Sequence, residues 1–366
     1  MELQTLLKKQ ISLTEWLEQI GHAKSGEMRQ EDNTKRARME TLASVIPFPF
    51  DKPTIFPAQD VFRGSAECLA YIQEHGNDLC ALRLVPRDQR LPKLRMRGFT
   101  VHEVFKGWFK EQKIDHSLYD AHFIPHPSDH LWSSISVLNE QGFFGEIIAD
   151  SHEKLTQGFY ENPKPIEFHF DFKDWRLSEK NEAALAELKK IISFLEVSDT
   201  ELQKKIKKVL ETSFVKNYIQ GYFETTTSSQ YGLWFIDYNR ILPALYSHKS
   251  LIPSKNTETH EKLSGRTGSP GMTRGRARII APNEIAEAQL SKDEILICDM
   301  TSPEYVPLMK QCAGIITDRG GILTHAAIIS RELGKPCLVG TGTASKQLKN
   351  GQNIELNASL GYARML

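Results

Sequence analysis

The residue best placed for covalent chemistry is His325, in the segment CAGIITDRGGILTHAAIISRELGKPCLVG at 312–340. A strand over Ala313–Thr317 runs into Asp318-Arg319-Gly320-Gly321, where paired glycines allow backbone shapes and close ligand approach that a side chain forbids. Thr324 then stands to N-cap a helix with His325 in its first turn; the helix runs through Ala326, Ile329 and Leu333 and stops at Gly334, with Pro336 just beyond. Free amides and the positive end of a helix stabilise phosphoryl oxygens, and the same field favours neutral, nucleophilic imidazole. Arg319 and Arg331 offer guanidinium forks for those oxygens, but helical spacing turns Arg331 to another face, so Arg319 is preferred. The residues alone also fit a plainer role, a histidine that helps cap a helix in a surface loop.

The elements that would position this loop are short strands: RGRARII (274–280), EILIC (294–298), CAGIIT (312–317), PCLVG (336–340) and QNIEL (352–356) predict a compact, Gly-punctuated domain. Upstream, the polar stretch SHKSLIPSKNTETHEKLSGRTG has no apolar periodicity and reads as a flexible linker, 247–267. Residues 46–246 read as α/β or α+β, with strands at 79–85, 133–139, 143–149 and 232–239 and a helical pair between 181 and 219 packed on the sheet. Residues 1–45 read as helix, with Leu3, Leu6, Leu7, Trp16, Leu17 and Ile20 at helical spacing; the following SGEMRQEDNTKRARME is too polar for core and predicts a peripheral arm. The expected fold class is thus α/β and α+β in two domains, 46–246 and 268–366.

A length of 366 residues favours two or three domains. The 46 basic residues balance 46 acidic ones, so no general attraction to nucleic acid or an anionic membrane is expected. The N-terminal residues offer no apolar run of the kind a signal peptide or membrane span needs, which makes a cytoplasmic location the default. The cysteines Cys68, Cys80, Cys298, Cys312 and Cys337 are scattered and predict buried free thiols.

The segment DRGGILTHAAIISRELGKPCLVGTG resembles the phosphohistidine swivelling domain of phosphoenolpyruvate-utilising enzymes, in which a Gly-Gly-x-x-x-His-Ala-Ala run followed by Arg-Glu-Leu-Gly-x-Pro carries the phosphorylated histidine. SPGMTRGRARII (269–280) and DMTSPEYVPLMKQCAGIITDRGG (299–321) extend the resemblance over nearly all of 268–366. It implies that Thr324 and His325 form the family's Thr/Ser/Cys-His pair, that Gly320 and Gly321 face phosphate, and that Thr301 and Ser302 belong to a loop near the histidine. It also implies a donor site and an acceptor site, between which the domain travels on its linker. The barrel that handles phosphoenolpyruvate in phosphoenolpyruvate synthase has no counterpart after Leu366, so formation of phosphoenolpyruvate within this chain is not expected.

The donor is expected upstream. Asp237-x-Asn239 in GLWFIDYNR, with Glu224 across a hairpin, resembles the magnesium-holding carboxylates and amide of ATP-grasp enzymes, hard oxygen donors of the kind Mg2+ takes. A strand end with polar caps fits those residues as well, and a Gly-rich phosphate loop is absent, so the region reads as a reduced ATP-grasp-like unit. Alternation along LPKLRMRG puts Lys93, Arg95 and Arg97 on one side of a strand, suited to polyphosphate or to water. Glu146 in FFGEIIAD could face the same site or be a structural carboxylate. His122, His126 and His130 are four apart, but Pro125 and Pro127 break any helix, and loop histidines are expected. Together these residues imply an ATP- and Mg2+-dependent phosphotransferase that passes a phosphoryl group through His325 to a small-molecule acceptor. The alternative is a non-catalytic phosphohistidine carrier, or a regulatory protein, phosphorylated by a separate partner.

Overall fold

The computed structural model describes residues 17–18, 21, 24–88, 90–157, 162–246 and 262–366, and at His325 the backbone. The expected N-terminal positions Leu3, Leu6, Leu7, Trp16 and Ile20, and linker residues 247–261, lie outside the described residues. The chain forms two compact units: residues 1–48, 132–226 and 237–366 make one, and 49–131 with 227–236 the other.

The first described helix, α1 (Ser25–Ala43), is not the peripheral arm its polarity predicted: Met28, Glu31, Arg38, Met39 and Leu42 are buried. The buried charges Glu31 and Arg38, with the half-buried Lys35 between them, form one stripe of the helix. Their partners sit near the end of a strand two hundred residues away, a pairing no local pattern displays.

The unit of 49–131 and 227–236 is built on strands β1 (Thr54–Pro57), β2 (Leu79–Pro86), β3 (Leu94–Thr100) and β4 (Tyr119–Pro125), in the order β1-β4-β2-β3. Alternate residues Cys80, Leu82 and Leu84 of β2 point into a core with Phe56, Val61, Ile72, Val104 and Phe123. On β3 the exposed Arg95 and Arg97 alternate with half-buried Leu94 and Met96, as the sequence predicts. His122 belongs to β4 rather than to a loop, paired with Ile55 and Arg83, because the Phe123–Ile124 pair is buried in the same strand.

In the larger unit, β5 (Trp132–Asn139), β6 (Gly142–Ile148), β7 (Ile166–Phe170) and β8 (Trp175–Leu177) form consecutive antiparallel neighbours of a sheet. After a two-stranded hairpin of β9 (Phe214–Val215) and β10 (Tyr218–Ile219), strands β11 (Gly221–Ser228) and β12 (Gly232–Asn239) complete that sheet in the order β12-β11-β5-β6-β7-β8. The tip of the β11–β12 hairpin is counted with the smaller unit. All seven residues of β6 are buried, so the sheet is covered on both faces there. The predicted helical pair is present as α2 (Glu182–Ser193) and α3 (Thr200–Leu210). Asn181 and Asp199 cap their first amides, and Leu188, Ile191 and Ile206 face inward.

The C-terminal sheet contains β13 (Lys262–Ser264), β14 (Arg266–Ser269), β15 (Met272–Ile279), β16 (Glu294–Cys298), β17 (Gly314–Thr317), β18 (Cys337–Val339), β19 (Asn353–Asn357) and β20 (Tyr362–Met365). Its order is β13-β20-β19-β15-β16-β17-β18-β14, with β15 through β18 parallel. Residues 262–267, expected in the linker, pair instead: Leu263 lies opposite Ala363, and Arg266 opposite Val339. Parallel neighbours need a crossover, and α4 (His325–Glu332) provides it between β17 and β18. Ala277, Ile295, Ile297, Ile316, Leu338 and Leu356 form the core on one face of this sheet. On its other side a second cluster runs continuously from Ile135, Val137, Phe144 and Ile148 through Tyr246 to Ile322, Leu323, Ala326 and Ile329. The histidine loop and helix α4 are therefore packed into the apolar interior they share with the β5–β6 sheet.

Candidate functional site

The loop between β17 and α4 is held from three sides. Asp318, at the end of β17, is buried and accepts hydrogen bonds from the Thr341 hydroxyl at 2.8 Å and from the Ser345 amide and hydroxyl. The Arg319 amide donates to the Asp299 carbonyl at 2.8 Å, and Arg319 Nε lies 3.0 Å from the Asp299 carboxylate, which joins the 299–302 turn to the histidine loop. Thr301 is buried in that turn, and Ser302 precedes the short helical turn Pro303–Tyr305. Gly320 has φ +111°, a backbone shape open to glycine.

Helix α4 starts at His325 and its C-terminal turn leads to Gly334 at φ +61°, the stop the sequence predicts. Thr324 stands at the N-cap with extended backbone, but its hydroxyl makes no capping bond: it donates to the Gly321 carbonyl at 2.8 Å. The first-turn amides of α4 are left without that side-chain acceptor, the condition under which a helix start binds an anion. Arg331 reaches back from its turn of α4 to the loop in front of the helix. Its Nη1 donates to the Ile322 carbonyl at 2.9 Å and its guanidinium lies 4.4 Å over the Tyr246 ring, fastening the loop to its own helix. Burial lowers the Arg331 pKa, against the pull of Tyr246.

An anion already meets this loop. Glu146, 1% exposed in the middle of β6, accepts from the backbone amides of Ile322 and Leu323 and from Arg266 Nη1 at 2.8 Å. Arg266 Nε also reaches Glu167 at 2.5 Å. Burial pushes the Glu146 carboxyl up to about 7, opposed by Arg266 and the two amides and reinforced by Glu167.

A second polar cluster lies at the end of β12. Lys35 of α1 places its ammonium 2.6 Å from Asp237 and 3.3 Å from Asp32. Glu224 of β11 lies 3.0 Å from His152 Nε2 and accepts from the Tyr222 hydroxyl at 2.6 Å. Burial works against the charged form of both carboxylates. For Asp237 it prevails over Lys35, aided by Glu224 and Asp32, and the pKa is raised; for Glu224, His152, Lys35 and Tyr222 outweigh it and hold the pKa at about 2. Asn239 Oδ1 accepts from the amides of Ile241 and Leu242, both at 2.9 Å, closing the turn after β12. Beside them Glu31, 2% exposed, takes a bidentate pair from Arg240 at 2.7 Å and a contact from Arg38 at 3.2 Å; Arg38 also donates to the Tyr238 carbonyl.

The structure thus brings Thr324, Gly320 and Gly321 to the start of α4, with Arg319 tied to Asp299 beside them, and brings Asp237 near Glu224. Arg95 and Arg97 lie on the other compact unit. Sequence reasoning missed Arg266, Lys35, His152 and Glu167. Arg266 was hidden in a Gly- and Ser-rich stretch, and Lys35 in a helix whose charges look solvated; only the 31, 35, 38 spacing carried a signal. All five cysteines are buried and free. Among the described residues no group of three or more His, Cys, Asp or Glu side chains is arranged to hold a metal ion, and no helix is long and apolar enough to cross a membrane.

With this geometry in place, comparison with known proteins is direct. Residues 290–361 match the family described as PEP-utilising enzyme, mobile domain, the part of the chain that carries the resemblance read from the sequence. It is 43% identical over 99 residues to a phosphoenolpyruvate synthase of Aeropyrum pernix, a stretch covering 27% of this chain and 12% of that protein. It is 39% identical over 104 residues to a rifampicin phosphotransferase of Streptomyces sviceus, covering 28% and 12%. The chain therefore spans about an eighth of the length of these relatives. An ATP-grasp protein of Sphaerobacter thermophilus described as RimK domain is similar over 59% of this chain and 61% of its own, at 11% identity and a TM-score of 0.29.

Proposed function

We propose that the protein is an ATP-dependent phosphotransferase that passes a phosphoryl group through His325 to a small-molecule acceptor. The observation that carries this reading is the helix start at His325: a mobile-domain loop whose amides at 322 and 323 hold an anion, followed at once by a first turn without a side-chain cap. In the transfer, an imidazole nitrogen of neutral His325 attacks the phosphorus in line, the P–N bond forms as the P–O bond to the nucleotide breaks, and the nucleotide leaves with the electron pair. Loop amides and the α4 dipole then stabilise the phosphoryl oxygens, with Arg319 at the rim once it releases Asp299. Transfer to the acceptor reverses these steps and returns neutral imidazole.

Magnesium would be held by Glu224 and Asp237, which have the hard oxygen donors it takes and already balance the Lys35 ammonium. Asn239 joins them only if its amide gives up the turn after β12. When bound, the ion supplies charge neutralisation at the nucleotide phosphates. Lys35 then has phosphate oxygens in place of Asp237. Arg95 and Arg97 are assigned to the polyphosphate on charge alone.

The test is incubation with γ- or β-labelled ATP followed by a search for acid-labile, base-stable label on His325. Label that is absent from His325→Ala but present in the parent supports the reading, and the labelled position separates a kinase from a dikinase. The occupancy of Asp237 by Lys35 and of Glu224 by His152 favours a second reading, a carrier phosphorylated by a separate protein. Magnesium-dependent ATP binding that disappears in Asp237→Ala and Asn239→Ala excludes the carrier; its absence in the parent chain supports it.

A further inference from the structure

Glu146 and Glu167 are direct cross-strand partners on β6 and β7. Like charges in that relation destabilise a sheet unless a cation separates them. Here the cation is Arg266, from the C-terminal sheet, which reaches both carboxylates. The other donors to Glu146, the amides of Ile322 and Leu323, come from the histidine loop. An acidic pair unfavourable within its own sheet is thus completed by the mobile domain. Steric fit points the same way: a Cβ at Gly321 would fall 2.1 Å from Glu146 Oε2 and 2.3 Å from Oε1, the oxygen that Arg266 Nη1 holds. Glycine at 321 is what lets the loop approach this closely.

We propose that Glu146 is a positioning residue that latches the histidine loop to the β5–β6 sheet, its carboxylate filling the amide nest that a phosphoryl group would otherwise take. The docked arrangement is then a loaded clamp for the loop backbone, and any anion arriving at the 322–323 amides competes with Glu146 for them. Release of Glu146 frees the loop, and Arg266 with it, to move as one piece. The inference deepens the phosphotransfer reading and takes the meaning of the docked state from it, but the latch itself is measurable without nucleotide.

The experiment is amide hydrogen exchange across 320–324 in the full chain, comparing the parent with Glu146→Ala, Gly321→Ala and the double variant. Each single change should speed exchange of the Ile322 and Leu323 amides by about tenfold or more. The double variant should exchange no faster than Glu146→Ala, because the added Cβ then has no carboxylate to strike. Amides in the centre of β16 and β17 should keep their parent rates. Unchanged rates at 322 and 323 in Glu146→Ala, or additive effects in the double variant, would overturn the latch. Should Glu146→Ala disturb the sheet as a whole, Gly321→Ala decides alone, since it leaves β6 intact. Failure of ATP to label His325 would remove the phosphotransfer reading and leave these rates unaffected.

Discussion

Replacing Lys35 with methionine separates the structural from the functional meaning of the β12 cluster. The ammonium is 14% exposed and lies 2.6 Å from Asp237, itself 17% exposed, with Asp32 at 3.3 Å. Removing one partner of a buried pair costs about 3–5 kcal/mol when the other charge is left uncompensated. Asp237 limits that loss, because burial already raises its pKa and it can take up a proton. The expected deficit at pH 7 is therefore ~3 kcal/mol, which at about 2 °C per kcal/mol for a unit of this size lowers the melting temperature by ~6 °C. A carboxyl whose folded pKa is raised contributes stability in full below its unfolded value, and loses it as pH rises through the folded value. The deficit should accordingly shrink as pH is lowered from 7 toward 4, measured by thermal unfolding at fixed salt. If the two carboxylates take magnesium, loss of the resident cation should also tighten Mg2+ binding by about tenfold in calorimetry. A variant as stable as the parent at pH 7, or a deficit that does not vary with pH, would refute the assignment of Lys35 as the counter-ion of Asp237.

Two further outcomes are expected. Glu224, held at about 2 by His152, Lys35 and Tyr222, contributes stability above its unfolded value of 4.5 that is lost as pH falls through 2. Glu224→Gln should therefore be on the order of 3 kcal/mol less stable than the parent at pH 6 and close to it at pH 2, by urea unfolding; equal differences at both pH values would remove the pairing. Phe144→Ala empties part of the cluster that runs from β6 to Ile322 and Leu323, and should cost about 3–5 kcal/mol and speed amide exchange at 322 and 323 along with β6. Exchange confined to β6 would show that the loop does not depend on that cluster.

Much of the fold was legible because its signals are local. The β-branched runs at 294–298 and 312–317, the caps Asn181 and Asp199 and the Gly334 stop each state their structure within a few residues. The order Gly-Gly-x-x-x-His likewise placed His325 at the first position of α4. Where the local signal was read wrongly, composition misled: residues 262–267 look like linker but pair with β20 and β18, since strand pairing asks only for backbone groups. Thr324 has the residue type of a cap, yet its hydroxyl turns back to Gly321, because the loop offers a nearer carbonyl.

The sequence by itself determined the mobile domain, its histidine and the glycine turn in front of it, since those depend on residues within one supersecondary unit. Tertiary structure alone decided that Glu146 meets the loop from 120 residues before Arg266, that Lys35 rather than solvent faces Asp237, and that a helix as polar as α1 is partly core. A buried charge is tolerable only beside its partner, and which distant partner arrives is set by how the sheets pack, not by any period or spacing along the chain.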